Sequence, residues 1–205
     1  MEGRKRVIVV DCKGHVLGRV ASTVAKQLLL GRRIVLVRCE QLEVCGTLRM
    51  RLVKWEMYRR KRVNTNPLRG PYHQRSPSKM VYKAIRGMLP KHNFRGKSAL
   101  SHVKCFEGCP APYDKMKKSS IPEAAVIYNY NPTRKRTLLG TLGTAIGWKY
   151  ADVVKRDEEI RKAKGKKYYE AKVKKATTFK EARDKVLADK KYEEKVKILK
   201  QFGYA

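Results

Sequence analysis

The apolar positions near the start of the chain follow two different periods. Val7 to Asp11 is a short β-branched run that ends in a polar residue, which predicts a buried strand. Between Leu17 and Gly31 the apolar residues recur at helical spacing, and the closing glycine predicts the end of a helix. Residues 32–39, RRIVLVRC, predict a second buried strand. A strand, a helix and a strand within about 30 residues form a βαβ unit, so we expect a parallel sheet with helices packed on it.

The next apolar pattern belongs to a helix with a strongly basic end. From Leu48 to Arg62 the spacing is helical, with Leu52 and Trp55 facing inward and four consecutive cations at the end. Residues 63–78 are rich in Pro, Gly and Asn, which predicts an irregular segment. The cations at the helix end are therefore expected to run directly into a loop.

A second amphipathic helix is predicted to begin next to this loop. Ser76 can cap it, Pro77 suits its first position, and Pro90 ends it. Residues 96–108, GKSALSHVKCFEG, then predict a short helix that leads to a strand. The inward side of the amphipathic helix holds Val81, Ile85 and Met88 or Leu89, and its other side holds Lys79, Lys83 and Arg86.

Two shorter segments follow. Residues 124–128 are interpreted as a short strand or an extended segment. The glycines of residues 140–147, GTLGTAIG, have spacings that do not match a dinucleotide-binding loop, which favours close helix packing instead.

From Ala151 the sequence is charged and helical. Acids precede bases by four residues at several places, among them Glu193 and Lys197, a spacing that supports a helix. Thr178 to Glu181 fits a capping box, so we expect two helices that meet near Thr177.

Composition sets the class of protein. The chain has 205 residues and 42% hydrophobic residues, enough for one compact α/β domain with an appendage. Its net charge of +32 opposes a free compact state by self-repulsion, which indicates first a nucleic acid partner and second an anionic membrane. The apolar runs are far shorter than the ~20 residues of a spanning helix, so we expect no membrane partner.

The charge is divided unevenly along the chain. Residues 1–150 hold 32 basic and 8 acidic residues, a net charge of +24, and residues 151–205 have a net charge of +8. Of 20 Arg, 17 lie in the first part, and Arg binds phosphate bidentately where Lys acts as a mobile point charge. We therefore expect a nucleic-acid-binding domain over residues 1–150 and a charged helical extension over residues 151–205.

The strongest functional pattern is a window without acids. Between Glu56 and Glu107 the chain carries 13 Arg and Lys and no acidic residue. A soluble protein without a partner normally intersperses both signs of charge. Aromatic residues are interleaved with these cations, and that combination is typical of RNA binding, where bases stack and phosphates pair with Arg. The aromatic residues are Trp55, Tyr58, Tyr72, Tyr82 and Phe94.

Motifs for other chemistry are incomplete. RGKS at residues 95–98 resembles the end of a phosphate-binding P-loop, but Lys91 occupies the position of the required glycine. Cys105 and Cys109 do not complete a zinc ligand set. Asp11 ends a strand where open α/β sheets bind ligands, but it lacks an evident catalytic partner. We expect no metal, no cofactor, no small-molecule substrate and no catalytic activity.

Seven motifs together resemble the L-thirteen family of large-subunit ribosomal proteins in its eukaryotic cytosolic form. They occur in the order of that family and cover roughly residues 7–150. The motifs are VVDCKGHVLGRVAS (Val9 to Ser22), VRCE (Val37 to Glu40), KRVNTNPLRGPYHQRSPS (Lys61 to Ser78), RGMLPK (Arg86 to Lys91), RGKSAL (Arg95 to Leu100), FEGCPAPYDK (Phe106 to Lys115) and GWKY (Gly147 to Tyr150).

This resemblance implies a three-layer α/β/α core around a small, mostly parallel sheet, with residues 151–205 as the eukaryotic helical extension. It also implies binding of large-subunit rRNA beside neighbouring ribosomal proteins, in cytoplasmic ribosomes assembled in the nucleolus. An additional role as an off-ribosome RNA-binding regulator of translation is the alternative. The residues expected to bind RNA are Arg19, Arg59, Arg60, Lys61, Arg62, Arg69, Arg75, Lys79, Lys83, Arg86, Lys91, Arg95 and Lys97.

Gly87 lies at the end of the second amphipathic helix, just before the segment with Lys91 and Arg95. A glycine there allows the backbone to approach either RNA or a neighbouring helix, and the sequence leaves both alternatives open.

Overall fold

A four-stranded parallel sheet organises the first part of the chain. The structure, a computed structural model, describes residues 7–188 and 192–203. The strands are β1 (Val7–Asp11), β2 (Arg33–Val37), β3 (Glu43–Cys45), β4 (Val103–Cys105), β5 (Lys118–Ser119) and β6 (Arg136–Leu138). The helices are α1 (Leu17–Leu29), α2 (Leu48–Arg60), α3 (Pro77–Gly87), α4 (Phe94–Ser101), α5 (Val126–Asn129), α6 (Leu139–Ala145), α7 (Ala151–Ala188) and α8 (Glu193–Gln201).

The predicted βαβ unit is confirmed. The sheet has the order β4-β2-β1-β5, and each adjacent pair of strands is parallel. Val9 lies opposite Val35 in the register of β1 and β2, and α1 connects the two strands. The α/β class with a mostly parallel sheet and a long C-terminal helix is therefore as expected.

Both faces of β2 are buried, which explains its uninterrupted apolar sequence. Successive side chains of a strand point to opposite faces. Ile34 and Leu36 join the larger core, which also contains apolar residues of α1, α3 and α4. Val35 and Val37 lie in a second cluster with Val9. That second cluster is covered by Phe106, Cys109 and Tyr113 of the segment that follows β4.

The glycines of α6 allow the close packing predicted for them. β3 and β6 form a separate antiparallel pair, and α6 follows β6 directly. A Cβ at Gly140 would lie 3.1 Å from the carbonyl oxygen of Glu40, and one at Gly143 would lie 3.3 Å from the Trp148 ring. These contacts leave little space for a side chain.

The start of α3 is capped by a different side chain from the one predicted. Ser76 is the N-cap residue and Pro77 follows it, as expected, but the Ser76 hydroxyl accepts no hydrogen bond from a backbone N–H of the helix. Instead the backbone N–H of Ser78 donates to Oε1 of Glu107 at 3.1 Å. A carboxylate also complements the positive end of the helix dipole better than a hydroxyl does.

One local expectation was wrong, and one pair of alternatives was decided. Residues 124–128 form the end of a 3₁₀ turn, Pro122–Ala124, and the start of the short helix α5, not a strand. In the segment after α3, Leu89 is the buried residue, while Met88 is 46% exposed. Met88 follows the last residue of α3, where the helical periodicity has already ended.

The remaining structure is helical and exposed. The chain divides into two compact units, and the boundary falls after Glu158. The predicted break near Thr177 was wrong, because α7 continues through it. The hydroxyls of Thr177 and Thr178 donate to the carbonyls of Lys174 and Lys175 within the helix, so Thr178 does not act as a cap. In α8 the Glu193 side chain lies outside the described residues, and so does its predicted pairing with Lys197.

Over residues 7–188 and 192–203, no helix combines the length and apolar character needed to cross a membrane.

Arg38 pairs with two carboxylates at the carboxyl end of the sheet. Its Nε donates to Asp11 Oδ1 at 2.8 Å, and its Nη2 pairs with Oδ2 of the same residue. Its Nη1 lies 3.7 Å from Oε1 of Glu158. Asp11, the acid at the usual ligand-binding edge of such sheets, is thus held in a bidentate ion pair.

Glu40 lies beside this cluster, and the negative charge of its carboxylate is less well compensated than that of Asp11. Its Oε2 accepts a hydrogen bond from the Gly108 N–H at 2.9 Å. Burial raises the pKa of the Glu40 carboxyl above its ordinary value, and the negative charge of Glu158 adds to the rise, while the bond from Gly108 opposes it. Ionised Glu40 therefore reduces the stability of the fold.

Replacing Glu40 by Gln is expected to stabilise the protein more at neutral pH than at acidic pH. The folded pKa lies above the unfolded one, so the destabilisation is absent below the unfolded pKa and complete above the folded pKa. The glutamine oxygen can still accept from Gly108. Thermal unfolding between about pH 4 and pH 8 tests this, because the Tm difference between variant and wild type should grow with pH. A Tm difference that does not vary with pH would contradict it.

Two glycine substitutions make a matched pair. A Cβ at Gly96 would overlap the carbonyl oxygen of Pro90, whereas a Cβ at Gly87 would meet no described atom within 4 Å. We expect Gly96→Ala to lower the free energy of unfolding by about 1–3 kcal/mol. Gly87→Ala should leave it unchanged or raise it by up to about 1 kcal/mol. Urea denaturation measures both, and equal losses in the two variants would contradict this packing.

Candidate nucleic-acid interface

The cations predicted to bind RNA are all exposed. Each of the thirteen, from Arg19 to Lys97, has an exposed side chain. None of them forms an ion pair with a carboxylate in the described part of the chain, in contrast to Arg38 and Arg136. These guanidinium and ammonium groups are therefore available to an external anion.

Helix α2 presents the densest group of arginines. Thr47 caps the helix by accepting a hydrogen bond from the Met50 N–H at 3.4 Å. Arg51 donates from Nε to the Cys45 carbonyl at 2.6 Å, which ties the helix to β3. The basic end of α2, together with Glu56, lines a surface pocket of about 400 Å³. The arginines of that pocket are Arg59, Arg60 and Arg62.

Tyr58 holds the irregular loop against α2. Its hydroxyl donates to the Tyr72 carbonyl at 3.0 Å, and its own carbonyl lies 2.9 Å from Nε2 of His73. Its ring meets the His73 ring edge-on, with centroids 4.5 Å apart. The loop that carries Arg69 and Arg75 is thereby attached to the helix that carries the other arginines. This role of Tyr58 was not predicted, although aromatic residues inside the basic window indicated a contribution.

Helix α3 brings its cations to the same region. Lys79, Lys83 and Arg86 are exposed, while Val81 and Ile85 are fully buried. The Lys83 ammonium lies 3.4 Å from the centroid of the Tyr58 ring, which is a cation–π contact. Tyr58 therefore contacts both the loop that follows α2 and helix α3.

The segment after α3 supplies three more cations. Lys91 lies in the turn after α3, whereas Arg95 and Lys97 lie on α4, which begins at Phe94. Gly87 is exposed and has open space on its side-chain face among the described residues. The alternative in which Gly87 packs against a neighbouring helix is thus not supported, and a close approach by RNA remains.

Some of the residues predicted to bind RNA do not line the pocket at the basic end of α2. Arg19 lies in the first turn of α1, whose N-cap Val16 forms no side-chain cap. Lys61 follows α2, and Arg69 ends the 3₁₀ turn Pro67–Arg69. All three are exposed, but none lines that pocket.

The cysteines form no cluster with metal-binding geometry. Cys12, Cys39, Cys45 and Cys105 are free thiols, and no group of three or more His, Cys, Asp or Glu among the described residues is arranged to hold a metal ion. Neighbouring thiols of Cys105 and Cys12, together with burial, raise the pKa of the Cys39 thiol well above its ordinary value. Cys39 is therefore a neutral core residue.

Comparison with known proteins agrees with this architecture. A family model described as ribosomal protein L13 matches residues 5–112. The chain is 49% identical over 166 residues to the large ribosomal subunit protein uL13 of Dictyostelium discoideum. The matched region covers 81% of this chain and 89% of that relative. The chain is 44% identical over 183 residues to the protein of the same name from Spodoptera frugiperda, covering 88% of this chain and 89% of the relative. With a family model over more than half its length and such relatives along most of it, the chain belongs to the ribosomal protein L13 family.

Proposed function

We propose that this protein is a structural constituent of the large subunit of the cytoplasmic ribosome and binds large-subunit rRNA. The observation that carries the proposal is the set of exposed cations on α2, α3, α4 and the loop between α2 and α3, all without carboxylate partners in the described residues. Membership of a ribosomal protein family makes rRNA the natural polyanion for this surface.

The mechanism is neutralisation of clustered phosphates. Each Arg or Lys that pairs with a phosphate releases counterions, which favours binding and makes it depend steeply on salt. Arginine adds bidentate geometry at the end of α2, and the exposed Phe94 on α4 offers a ring on which a base can stack. Residues 1–150 form the RNA-binding domain in this proposal, and residues 151–205 form an extension that contacts neighbouring subunit components.

A catalytic role does not form part of the proposal. The carboxylate of Asp11 is engaged by Arg38 in two contacts, so it is not placed to act as a base on a substrate. Assembly in the nucleolus and neighbouring ribosomal proteins as partners follow from the proposed place in the subunit. The off-ribosome regulatory role stays a prediction, and it would use the same cations.

Neutralising three cations of the α3–α4 region tests the phosphate contacts. We expect the triple variant Arg86→Gln, Lys91→Gln, Arg95→Gln to bind large-subunit rRNA fragments more weakly. The slope of log K against log salt should fall by about 2–3, because each lost phosphate contact removes about 0.7–0.9. Titrations of binding at several salt concentrations give that slope. A slope equal to that of the wild type would show that these side chains do not reach phosphate.

A second triple variant controls for the loss of net charge. Lys26, Arg32 and Arg33 are exposed and lie on α1 and at the start of β2, outside the proposed interface. Changing all three to Gln removes the same charge and should reduce the slope much less. The wild type and this control should also sediment with large subunits from a low-salt lysate. Wild-type protein that sediments free of them would refute the proposed function.

A further inference from the structure

A second pocket at the end of α2 has a lining unlike that of a simple phosphate-binding surface. Its volume is about 300 Å³, and it lies between α2 and the loop of residues 63–76. Three arginines contribute to it together with two rings and two prolines. The arginines are Arg59, Arg62 and Arg75, and Trp55, His73 and Pro71 are among the others.

The indole of Trp55 carries an unused hydrogen-bond donor. Its Nε1 is buried and has no hydrogen-bond partner among the described residues. An indole N–H can only donate, and buried donors in folded proteins nearly always have an acceptor. Trp55 also lines the pocket. A group bound there can therefore supply the acceptor that the described residues lack.

The walls of the pocket are held in place before any ligand arrives. The centroids of the Trp55 and Tyr58 rings lie 5.4 Å apart. The Tyr58 ring also contacts the ring of His73. The bond between His73 and the Tyr58 carbonyl keeps the loop at this distance. Such preorganisation reduces the entropy lost on binding.

Arg75 is also positioned by its surroundings. Its Nη1 would lie 3.0 Å from a Cβ at Gly147, so the absence of a side chain at Gly147 leaves the room that this guanidinium occupies. Arg59 and Arg62 also line the neighbouring pocket with Glu56, whose carboxylate offsets part of their charge. Arg75 does not line that pocket, which makes it the best placed of the three for a phosphate here.

The combination of rings, a free donor and guanidinium groups matches one chemical class. Aromatic rings and arginine planes stack on bases, guanidinium groups bind phosphate, and an indole N–H donates to a base or sugar oxygen. A volume of about 300 Å³ is at the small end of ligand sites and does not admit a base-paired helix. A base inside a duplex has both faces covered, whereas an unpaired base can be extruded.

We propose that this pocket receives a single unpaired nucleotide of RNA, with its base against Trp55 and His73 and its phosphates paired with the three arginines. The inference rests on the proposed RNA-binding function and deepens it, because it assigns recognition of an extruded nucleotide to one place on the interface. The rest of the basic surface then binds the flanking phosphates without regard to base pairing.

The test compares two hairpin RNAs that differ by one bulged nucleotide in an otherwise identical stem. The full-length protein is titrated with each at the same salt concentration. We expect the bulged hairpin to bind about tenfold more tightly, within the range known for stacking of one base on an aromatic side chain. Tryptophan emission should change on binding the bulged RNA, and the change reports on Trp55. The other tryptophan of the chain, Trp148, is buried in the fold and cannot contact the RNA directly.

Variants assign the preference to the pocket. Trp55→Leu should lose the preference and bind both hairpins equally. Trp55→Phe keeps a ring without the N–H and should retain part of the preference, which guards against loss of folding in the leucine variant. Arg75→Gln should also reduce the preference. The matched control is Tyr128→Leu, an aromatic residue on α5 that is 79% exposed and lies outside the pocket, and it should keep the full preference.

The outcomes separate this inference from the proposed function. Equal, salt-dependent binding of both hairpins by the wild type would leave RNA binding intact and overturn the nucleotide pocket. A preference that survives in Trp55→Leu would overturn it too. Quenching of tryptophan emission by adenosine monophosphate, with no preference for the bulged hairpin, would identify a free-nucleotide site instead. If neither hairpin binds at low salt, the proposed function itself fails.

Discussion

Repulsion among like charges is the constraint on which the rest of this structure depends. Residues 57–106 bring 13 cations into α2, α3, α4, β4 and their connections without one acidic residue to offset them. Exposed charges of one sign destabilise the compact state, and the cost grows as they are brought closer. The fold must therefore hold these segments in place by contacts that do not depend on neutralising the charge, and RNA must supply the negative charge that the chain lacks.

Those contacts are of three kinds. Apolar packing buries one side of α3 completely at Val81 and Ile85, so its cationic side has a fixed orientation. Glu107, the acid that closes the basic window, is used to cap α3 and not to form an ion pair with a cation of the interface. Tyr58 attaches the loop to α2 through its hydroxyl, its carbonyl and its ring. Each contact restrains the backbone and leaves the cations exposed.

The sequence was sufficient where a feature depends on local periodicity or on charge. The βαβ unit follows from uninterrupted apolar runs separated by an amphipathic helix, and the exposure of the thirteen cations predicted to bind RNA follows from their positions on the polar sides of helices and in loops. It was insufficient where contacts distant in sequence decide. The Ser76 hydroxyl was replaced as a cap by Glu107, 31 positions along the chain. At Thr178 a local bond was missed as well, because its hydroxyl donates to the Lys175 carbonyl inside α7 and does not cap a new helix. The Trp55 pocket forms only when the loop folds back onto α2, so no spacing in the sequence identifies it.

The central claim is that α2, α3, α4 and the loop between α2 and α3 face large-subunit rRNA. Crosslinking of this chain to rRNA inside purified large subunits tests it most directly, with the crosslinked residues identified by mass spectrometry. We expect crosslinks to concentrate within residues 55–97, with fewer on the remaining surface of residues 7–158. Crosslinks confined to the helical extension, with none in residues 55–97, would contradict it.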